Sequence, residues 1–302
     1  MRRKILALFV LVGLVALATP LARGQSVDKV KEMMALVNAQ LQARGASVRL
    51  EVAEFITYSQ EAGQTVYFNN RTHQLGHHWV PNDPRRHGVS DIYWLYEKGL
   101  ETGQGTATGL TQAETQAAVV SAMTTWNTQD CAVIPLVRVP CYGIDWGYVQ
   151  YLLGMGGYPG WYADITHAGW LPGAFFDLVA PGGSTYILGV TYTFVWIDAN
   201  GYTDIDNNKK RDVAFREIYY NNNFPWGIGT NYPIDVETIV LHEAGHGVSL
   251  GHFGKLFVTN ANGLRHFAPL AVMNAGYTQV QHNLKGTDLA SFCSIWARWP
   301  MR

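Results

Sequence analysis

Residues 242–252, His-Glu-Ala-Gly-His-Gly-Val-Ser-Leu-Gly-His, hold three histidines and one glutamate at spacings suited to metal chemistry. An α-helix has 3.6 residues per turn, so His242 and His246 project from nearly the same face and can aim both imidazoles at one point. Glu243 is adjacent to the first of them and can reach a water molecule held there. Because a catalytic zinc ion usually takes three protein ligands and one water molecule, the pattern predicts a zinc site with His252 as third ligand.

His252 lies six residues beyond His246, and no straight helix brings residues at that spacing together. The chain must turn back after the helix, and we expect Gly247 and Gly251 to supply the backbone freedom for that turn. Two alternatives stay open. The histidines could be a chance cluster, which a content of 10 histidines in 302 residues disfavours, or a downstream acid could replace His252.

The eleven residues resemble the metzincin signature, H-E-x-x-H-x-x-G-x-x-H followed by a methionine turn. The form H-E-x-G-H and the leucine before the last histidine are most similar to the matrixin branch, and in particular to secreted bacterial matrixin-like proteases. Ser249 departs from the family, which has glycine at that position. The resemblance covers about residues 90–302 and places the methionine turn at Met273. No cysteine lies in residues 25–88, so the cysteine switch of matrixins is absent.

The resemblance implies a fold, since periodicity alone gives only the elements. We expect an α/β (α+β) zincin, with a twisted mixed sheet of about five strands over two long helices and a C-terminal subdomain after the third histidine. Apolar periodicity and end signals locate the elements themselves. The helices are predicted at 27–44, 109–128 (with a capping box of Thr111 and Glu114), 233–248 (capped by Asp235) and 286–296. The strands are predicted at 48–58, 91–98, 132–139, 163–167, 185–198 and 213–221.

A second metal site is predicted in the acidic stretch 204–212. Oxygen ligands at alternate positions of a loop can surround a hard cation such as Ca²⁺. The alternative is a solvated polar loop, because Lys209 stands where calcium loops have glycine and Phe215 stands where they have glutamate. The ligands at positions 1, 3, 5, 7 and 9 would be Asp204, Asp206, Asn208, the Lys210 carbonyl and Asp212.

The N-terminus has the features of a secretory signal peptide over residues 1–24: a basic start, an apolar run and small residues before the cleavage site. An uncleaved anchor is the alternative. We expect three parts: the signal peptide, an N-terminal segment at 25–88 (a propeptide, an extra subdomain or a decorated edge), and the catalytic domain at 89–302. The protein is therefore expected to be secreted, extracellular or periplasmic, with no membrane association after cleavage.

Charge excludes one class of partner. Without the four basic residues of the signal peptide, 18 basic residues face 23 acidic ones, a net charge of −5. A mildly acidic surface without basic runs argues against a nucleic-acid partner. We expect a monomer that acts on protein or peptide substrates.

Cysteine usage predicts a local disulfide in an exported chain. Cys131 and Cys141 flank a short loop that contains proline, so we expect them to pair and Cys293 to be left over. Three separate thiols are the alternative. The histidines at 73, 77, 78 and 87 lack helical spacing, and we expect them at the surface.

The leading functional hypothesis is a secreted zinc endopeptidase in which Glu243 acts as general base. We expect a neighbouring strand to align the substrate as an extended peptide through main-chain pairing. The alternative from another class is a secreted binding protein on a zincin scaffold, whose zinc is structural and which has no turnover.

Overall fold

The computed structural model describes residues 20–58, 75–96, 105–132, 134–229, 231 and 234–301, and the side chains of residues 20–28 are left out of the description. It has a mixed α/β architecture, built from one central sheet with helices on both faces. The predicted signal sequence falls almost wholly outside these ranges. Within them, no helix combines the length and the apolar character that crossing a membrane requires.

The elements follow the predicted order, with additional short strands. All six predicted strands and all four predicted helices are found, with bounds that shift by at most four residues except at α1, which begins seven residues before its predicted start. The helices are α1 (Pro20–Ala43), α2 (Gln112–Asn127), α3 (Tyr148–Leu152), α4 (Gly173–Val179), α5 (Val236–Gly247) and α6 (Gly286–Trp296), with a 3₁₀ turn at Gly183–Thr185. The strands are β1 (Val48–Tyr58), β2 (His77–His78), β3 (Ile92–Tyr96), β4 (Leu136–Arg138), β5 (Ile165–Leu171), β6 (Ile187–Asp198), β7 (Gly201–Tyr202), β8 (Arg211–Asn221), β9 (Trp226–Gly227), β10 (Ile234–Asp235), β11 (Lys255–Val258), β12 (Arg265–Ala268) and β13 (Gly276–Tyr277).

Within the described residues nine strands form the central sheet, where the sequence predicts about five. Its main path runs β13-β1-β6-β8-β5-β3-β4, with β2 paired to β8 and β7 paired to β6. Neighbours from β8 through β5 and β3 to β4 are parallel, whereas β6 is antiparallel to both β8 and β1. Two further pairs lie outside this sheet: parallel β9–β10, and an antiparallel β11–β12 hairpin that follows the third histidine.

Two apolar cores lie on the two faces of the sheet. The first is formed by α2, α5 and α6 with side chains such as Ile165 and Ile218, and it supports the histidines of α5. The second is formed by α1, α3 and α4 with side chains such as Phe55 and Phe194. Alternate residues of each long strand therefore face opposite cores, as the two-residue period of a strand requires. The strands that face α5 are thus packed on their opposite face by α1, α3 and α4.

The N-terminal segment contributes a strand to the main sheet. β1 pairs with β6 over Val48–Thr57 and with β13 at Thr57 and Tyr58. Helix α1 packs on β1 and buries Val37 and Leu41. The segment at 25–88 therefore contacts the predicted catalytic domain along the whole length of a strand.

The expected Cys131–Cys141 pair is wrong. Cys131 forms a disulfide with Cys293, across a Cα–Cα distance of 5.6 Å and a sequence separation of 162 residues. Helix α6 packs on α2 through Phe292 and Trp126, whose ring centroids are 5.4 Å apart, and this packing brings the two cysteines together. The extended strand β4 carries Cys141 away to a separate apolar cluster, where its thiol is buried and free.

We predict that Cys131→Ser will lower the free energy of unfolding by about 2–5 kcal/mol, because the bridge closes a long loop in the unfolded chain. Cys293→Ser should lower it by the same amount, and the double variant should cost no more than either single one. Urea unfolding under oxidising conditions measures the effect. Peptide mapping that recovers a 131–141 bridge would contradict this pairing.

Candidate metal centre

Helix α5 carries the first two histidines on its buried side. Asp235 begins the helix by accepting hydrogen bonds from the backbone N–H and the hydroxyl of Thr238, at 2.8 and 2.6 Å. This is the N-cap that the sequence predicts. The His242 and His246 side chains are both 0% exposed, and so is Glu243. The spacing of one helical turn therefore places two imidazoles in the same dry environment.

The backbone turn that returns the chain to the metal site is at Ser249. Its φ is +73°, in the left-handed region, whereas Gly247 and Gly251 have no positive φ. The Ser249 N–H donates to the His246 carbonyl and the Leu250 N–H donates to the Gly245 carbonyl, both at 2.9 Å. These two bonds form a Schellman motif, in which glycine usually takes the left-handed position. The expectation that Gly247 and Gly251 supply the turn is wrong.

The turn brings the third imidazole to the other two. His252 Nε2 lies 3.1 Å from His242 Nε2 and 3.1 Å from His246 Nε2. A tetrahedral zinc ion about 2.0–2.1 Å from each nitrogen would separate them by about 3.3–3.4 Å. The three side chains are buried, with His252 only 3% exposed. The predicted ligands thus meet at one point at nearly the required spacing.

Hydrogen bonds fix the orientation of two rings. His242 Nδ1 lies 2.7 Å from the Val272 carbonyl and His246 Nδ1 lies 2.8 Å from the Leu250 carbonyl. A carbonyl oxygen only accepts, so each Nδ1 carries the proton and each Nε2 presents a lone pair to the centre. Burial lowers the pKa of all three imidazoles, that of His242 to about 4. Neutral imidazoles whose lone pairs converge are a donor set that fits a soft or borderline divalent cation such as Zn²⁺.

Met273 lies beneath the site and packs against Gly245, which accounts for the glycine at that position of the motif. A Cβ on Gly245 would lie 2.3 Å from Met273 Sδ and 2.9 Å from Trp126 Cζ2, so a larger residue at position 245 would require these side chains to shift. The turn that carries Met273 is held by Asp288 of α6, whose carboxylate accepts from the N–H groups of Val272 and Met273 at 2.9 and 3.1 Å. Asp288 therefore also positions the Val272 carbonyl that orients His242.

Glu243 is directed from α5 towards the sheet. The Thr191 hydroxyl of β6 donates to Glu243 Oε2 at 2.6 Å. A Cβ on Gly189 would lie 2.9 Å from Glu243 Oε1, so glycine there makes room for the carboxylate. Burial raises the pKa of Glu243 well above its usual value, the Thr191 hydroxyl opposes this shift, and the nearby Glu54 carboxylate adds to it.

Behind the histidines lies a buried polar group of four side chains, Glu54, Arg216, His77 and His78. The sequence pattern did not predict it. Glu54 of β1 places Oε1 3.5 Å from His246 Nδ1, and the side chain is 0% exposed. Arg216 of β8 is also 0% exposed and donates to the Gly247 carbonyl at 2.7 Å, to the Ser249 hydroxyl at 2.9 Å and to His77 Nδ1 at 2.9 Å. Burial lowers the pKa of Arg216 to about 9, against the opposing effect of Glu54. A single acid and a single base, 162 residues apart in sequence, give no local signal.

Two of the four histidines expected at the surface are buried in this polar group. His77 is 3% exposed and His78 is 8% exposed, and His78 Nδ1 lies 3.0 Å from the Ser249 hydroxyl. His87 is exposed as expected, and residue 73 lies outside the described ranges. The pairing of β2 with β8 carries the buried pair inwards, which sequence spacing could not indicate.

The acidic loop brings together three of its five predicted calcium ligands. Carboxylate oxygens of Asp204, Asp206 and Asp212 lie within 4.8 Å of one another. Arg85 donates to Asp212 Oδ2 at 2.8 Å, and the Asn208 amide oxygen accepts from the Lys210 N–H at 2.7 Å. The Asp204 carboxylate likewise accepts from loop N–H groups. Calcium binding here stays a prediction.

Comparison with known proteins adds no assignment. No protein-family model matches the chain, and no curated protein matches it. The proposed function therefore depends on the geometry of the site.

We predict that Ser249→Ala will lower the free energy of unfolding by about 1–3 kcal/mol, because His78 loses its partner and Arg216 loses one of several acceptors. Ser249→Gly removes the same hydroxyl but relieves the left-handed strain, so it should be about 1 kcal/mol more stable than the alanine variant. Urea unfolding of both variants measures the difference. An alanine variant as stable as the glycine variant would mean that the left-handed turn is not retained in solution.

Proposed function

We propose that this protein is a secreted zinc endopeptidase of the matrixin-like metzincin type. The observation that carries the proposal is the convergence of three neutral, buried imidazoles with an acid beside them. Met273 beneath the histidines and the hairpin subdomain after His252 agree with the resemblance in the sequence. His242, His246 and His252 would hold the ion. When bound, zinc supplies Lewis-acid polarisation of the scissile carbonyl and of a water molecule.

The role of Glu243 follows from its chemistry and its surroundings. As a carboxylate it accepts a proton from the attacking water and later delivers that proton to the leaving amine nitrogen. Thr191 donates to Oε2 and fixes the rotamer of the side chain, and Oε1 lies against Gly189 with no hydrogen-bond partner among the described residues. The Val272 and Leu250 carbonyls hold two of the imidazoles in the tautomer that binds metal. The chain thus supplies the base, its orientation and the ligand geometry.

The complete burial of the site favours a second candidate, a binding protein with structural zinc. All three histidines and Glu243 are at most 3% exposed in the structure. A structural zinc site is closed to water, whereas a catalytic site keeps one open coordination position. The two candidates differ in one measurable property, which is turnover of a peptide.

We expect the purified protein to contain one zinc ion per chain. It should cleave unfolded casein, if not as the intact chain then once α1 and β1 have been displaced from the rest of the chain. Glu243→Gln should reduce kcat/KM by about 10²–10⁴-fold, because general base catalysis is lost while the metal ligands remain. Zinc content measured on the same sample should be unchanged. Cleavage that survives a chelator, or full activity of the glutamine variant, would rule out the mechanism.

We expect His252→Ala to lose most of its zinc on dialysis, since two imidazoles alone bind zinc weakly. His266→Ala, in the β11–β12 hairpin, is the matched control and should retain zinc. Metal content of both variants is measured after equal dialysis. Tight zinc in the His252 variant would point instead to a downstream acid as the third ligand.

A further inference from the structure

The strand next to the catalytic base already has two partners. β6 pairs with β8 on one side and with β1 on the other, so neither of its edges is open over Gly189–Val195. An extended substrate that aligns by main-chain pairing needs a free strand edge. β1 runs antiparallel to β6 and parallel to β13, which follows the turn that carries Met273. It therefore lies in a groove whose walls are the strand beside Glu243 and the segment beyond Met273.

The contacts of β1 reach the proposed reaction site. The Glu243 carboxylate lies against Gly189 of β6, whose partner in the pairing with β1 is Ile56, and Glu54 Oε1 lies 3.5 Å from His246 Nδ1. The pairing with β6 is irregular between Ile56 and Thr57, beside this contact. In the mechanism above, Glu243 must meet the nitrogen of a substrate peptide bond. In the structure, the β1 backbone at Ile56 is the chain segment next to the carboxylate on this side of Gly189.

We propose that β1 is a resident occupant of the substrate groove and that the intact chain is latent until α1 and β1 are displaced together. This inference rests on the proposed endopeptidase function. The partner that fits the groove is an extended peptide, paired antiparallel to β6 and parallel to β13. An acidic side chain in the place of Glu54 would be favoured, because it would lie 3.5 Å from His246 Nδ1 in an interior that also holds the Arg216 cation.

The topology allows displacement of the segment as one unit. Helix α1 and strand β1 are consecutive at one end of the described chain, and a single covalent connection, residues 59–74, joins them to the remainder. Their mutual packing includes Val37 and Leu41, and β1 also buries Leu50 and Phe55 in the second core. Loss of that much apolar burial makes spontaneous opening rare. A cut within 59–74 followed by release of the fragment is the route that we infer.

The first test loosens β1 without touching the metal site. In the zinc-loaded chain 25–302, Phe55→Ala removes a buried ring from β1, and Phe175→Ala removes one from α4 in the same core. We expect Phe55→Ala to raise the rate of peptide cleavage about tenfold or more and to speed zinc removal by a chelator, since about 1.4 kcal/mol of lost docking is a factor of ten. Phe175→Ala should do neither. Equal effects of the two variants would overturn the proposal.

The second test does not depend on how well those variants fold. A specific protease site replaces residues 62–68, and the cut chain is freed of its N-terminal fragment in mild urea and returned to buffer. The cut chain should cleave casein at least tenfold faster than the uncut chain. In the Glu243→Gln background, a labelled peptide with the sequence of residues 48–58 should bind the cut chain only, as measured by fluorescence anisotropy.

The outcomes separate the two proposals. An uncut chain that cleaves casein as fast as the cut chain would overturn latency and leave the endopeptidase function standing. A cut chain that holds one zinc ion and binds the peptide, but has no turnover, would overturn the endopeptidase function and, with it, the latency of that activity.

Discussion

The turn at Ser249 is the constraint on which the metal centre depends. Helix α5 by itself supplies two imidazoles, and the third reaches them only because the backbone reverses within two residues of the helix end. A non-glycine residue in the left-handed region costs about 1–2 kcal/mol. Here the side chain offsets part of that cost, since its hydroxyl bonds with Arg216 and His78. The residue that departs from the metzincin signature is thus also a junction between the three histidines and the polar side chains behind them.

Those polar groups show how the protein keeps ions in a dry interior. Arg216 is fully buried, but a carbonyl, a hydroxyl and an imidazole accept its protons and Glu54 supplies a nearby negative charge. An unpaired buried ion would cost several kcal/mol, so each of these partners matters to stability. Because Glu54 comes from β1 and Arg216 from β8, the arrangement couples the N-terminal segment to the face of the sheet that carries the site. Glu54 and Arg216 therefore stabilise both the fold and the arrangement in which β1 occupies the proposed substrate groove.

Local signals in the sequence were enough for the parts of the site that lie on one element. Helix α5, its Asp235 cap and the facing of His242 and His246 follow from helical period and capping chemistry, and the capping box at Thr111 and Glu114 located α2 equally well. One failure is local, the left-handed turn expected at Gly247 and Gly251 and found at Ser249, and the others concern partners distant in sequence. The pairing of Cys131 depends on how α6 packs on α2, the burial of His77 depends on β2 joining β8, and the place of β1 depends on which sheet edge is free. Periodicity predicts that each element exists, but it carries no information on its neighbour.

The Cys131–Cys293 bridge has a consequence for processing of the chain. It closes a covalent ring that contains β4 to β13, most of α6, and all three histidines, while α1, β1 and α2 lie outside it. A backbone cut anywhere in 59–74 leaves this ring untouched. The N-terminal piece can then depart without loosening the ligand set, whereas a cut inside the ring leaves both halves tethered through sulfur. A cut in 59–74 would consequently release a fragment with or without a reductant, whereas a cut inside the ring would release one only after reduction.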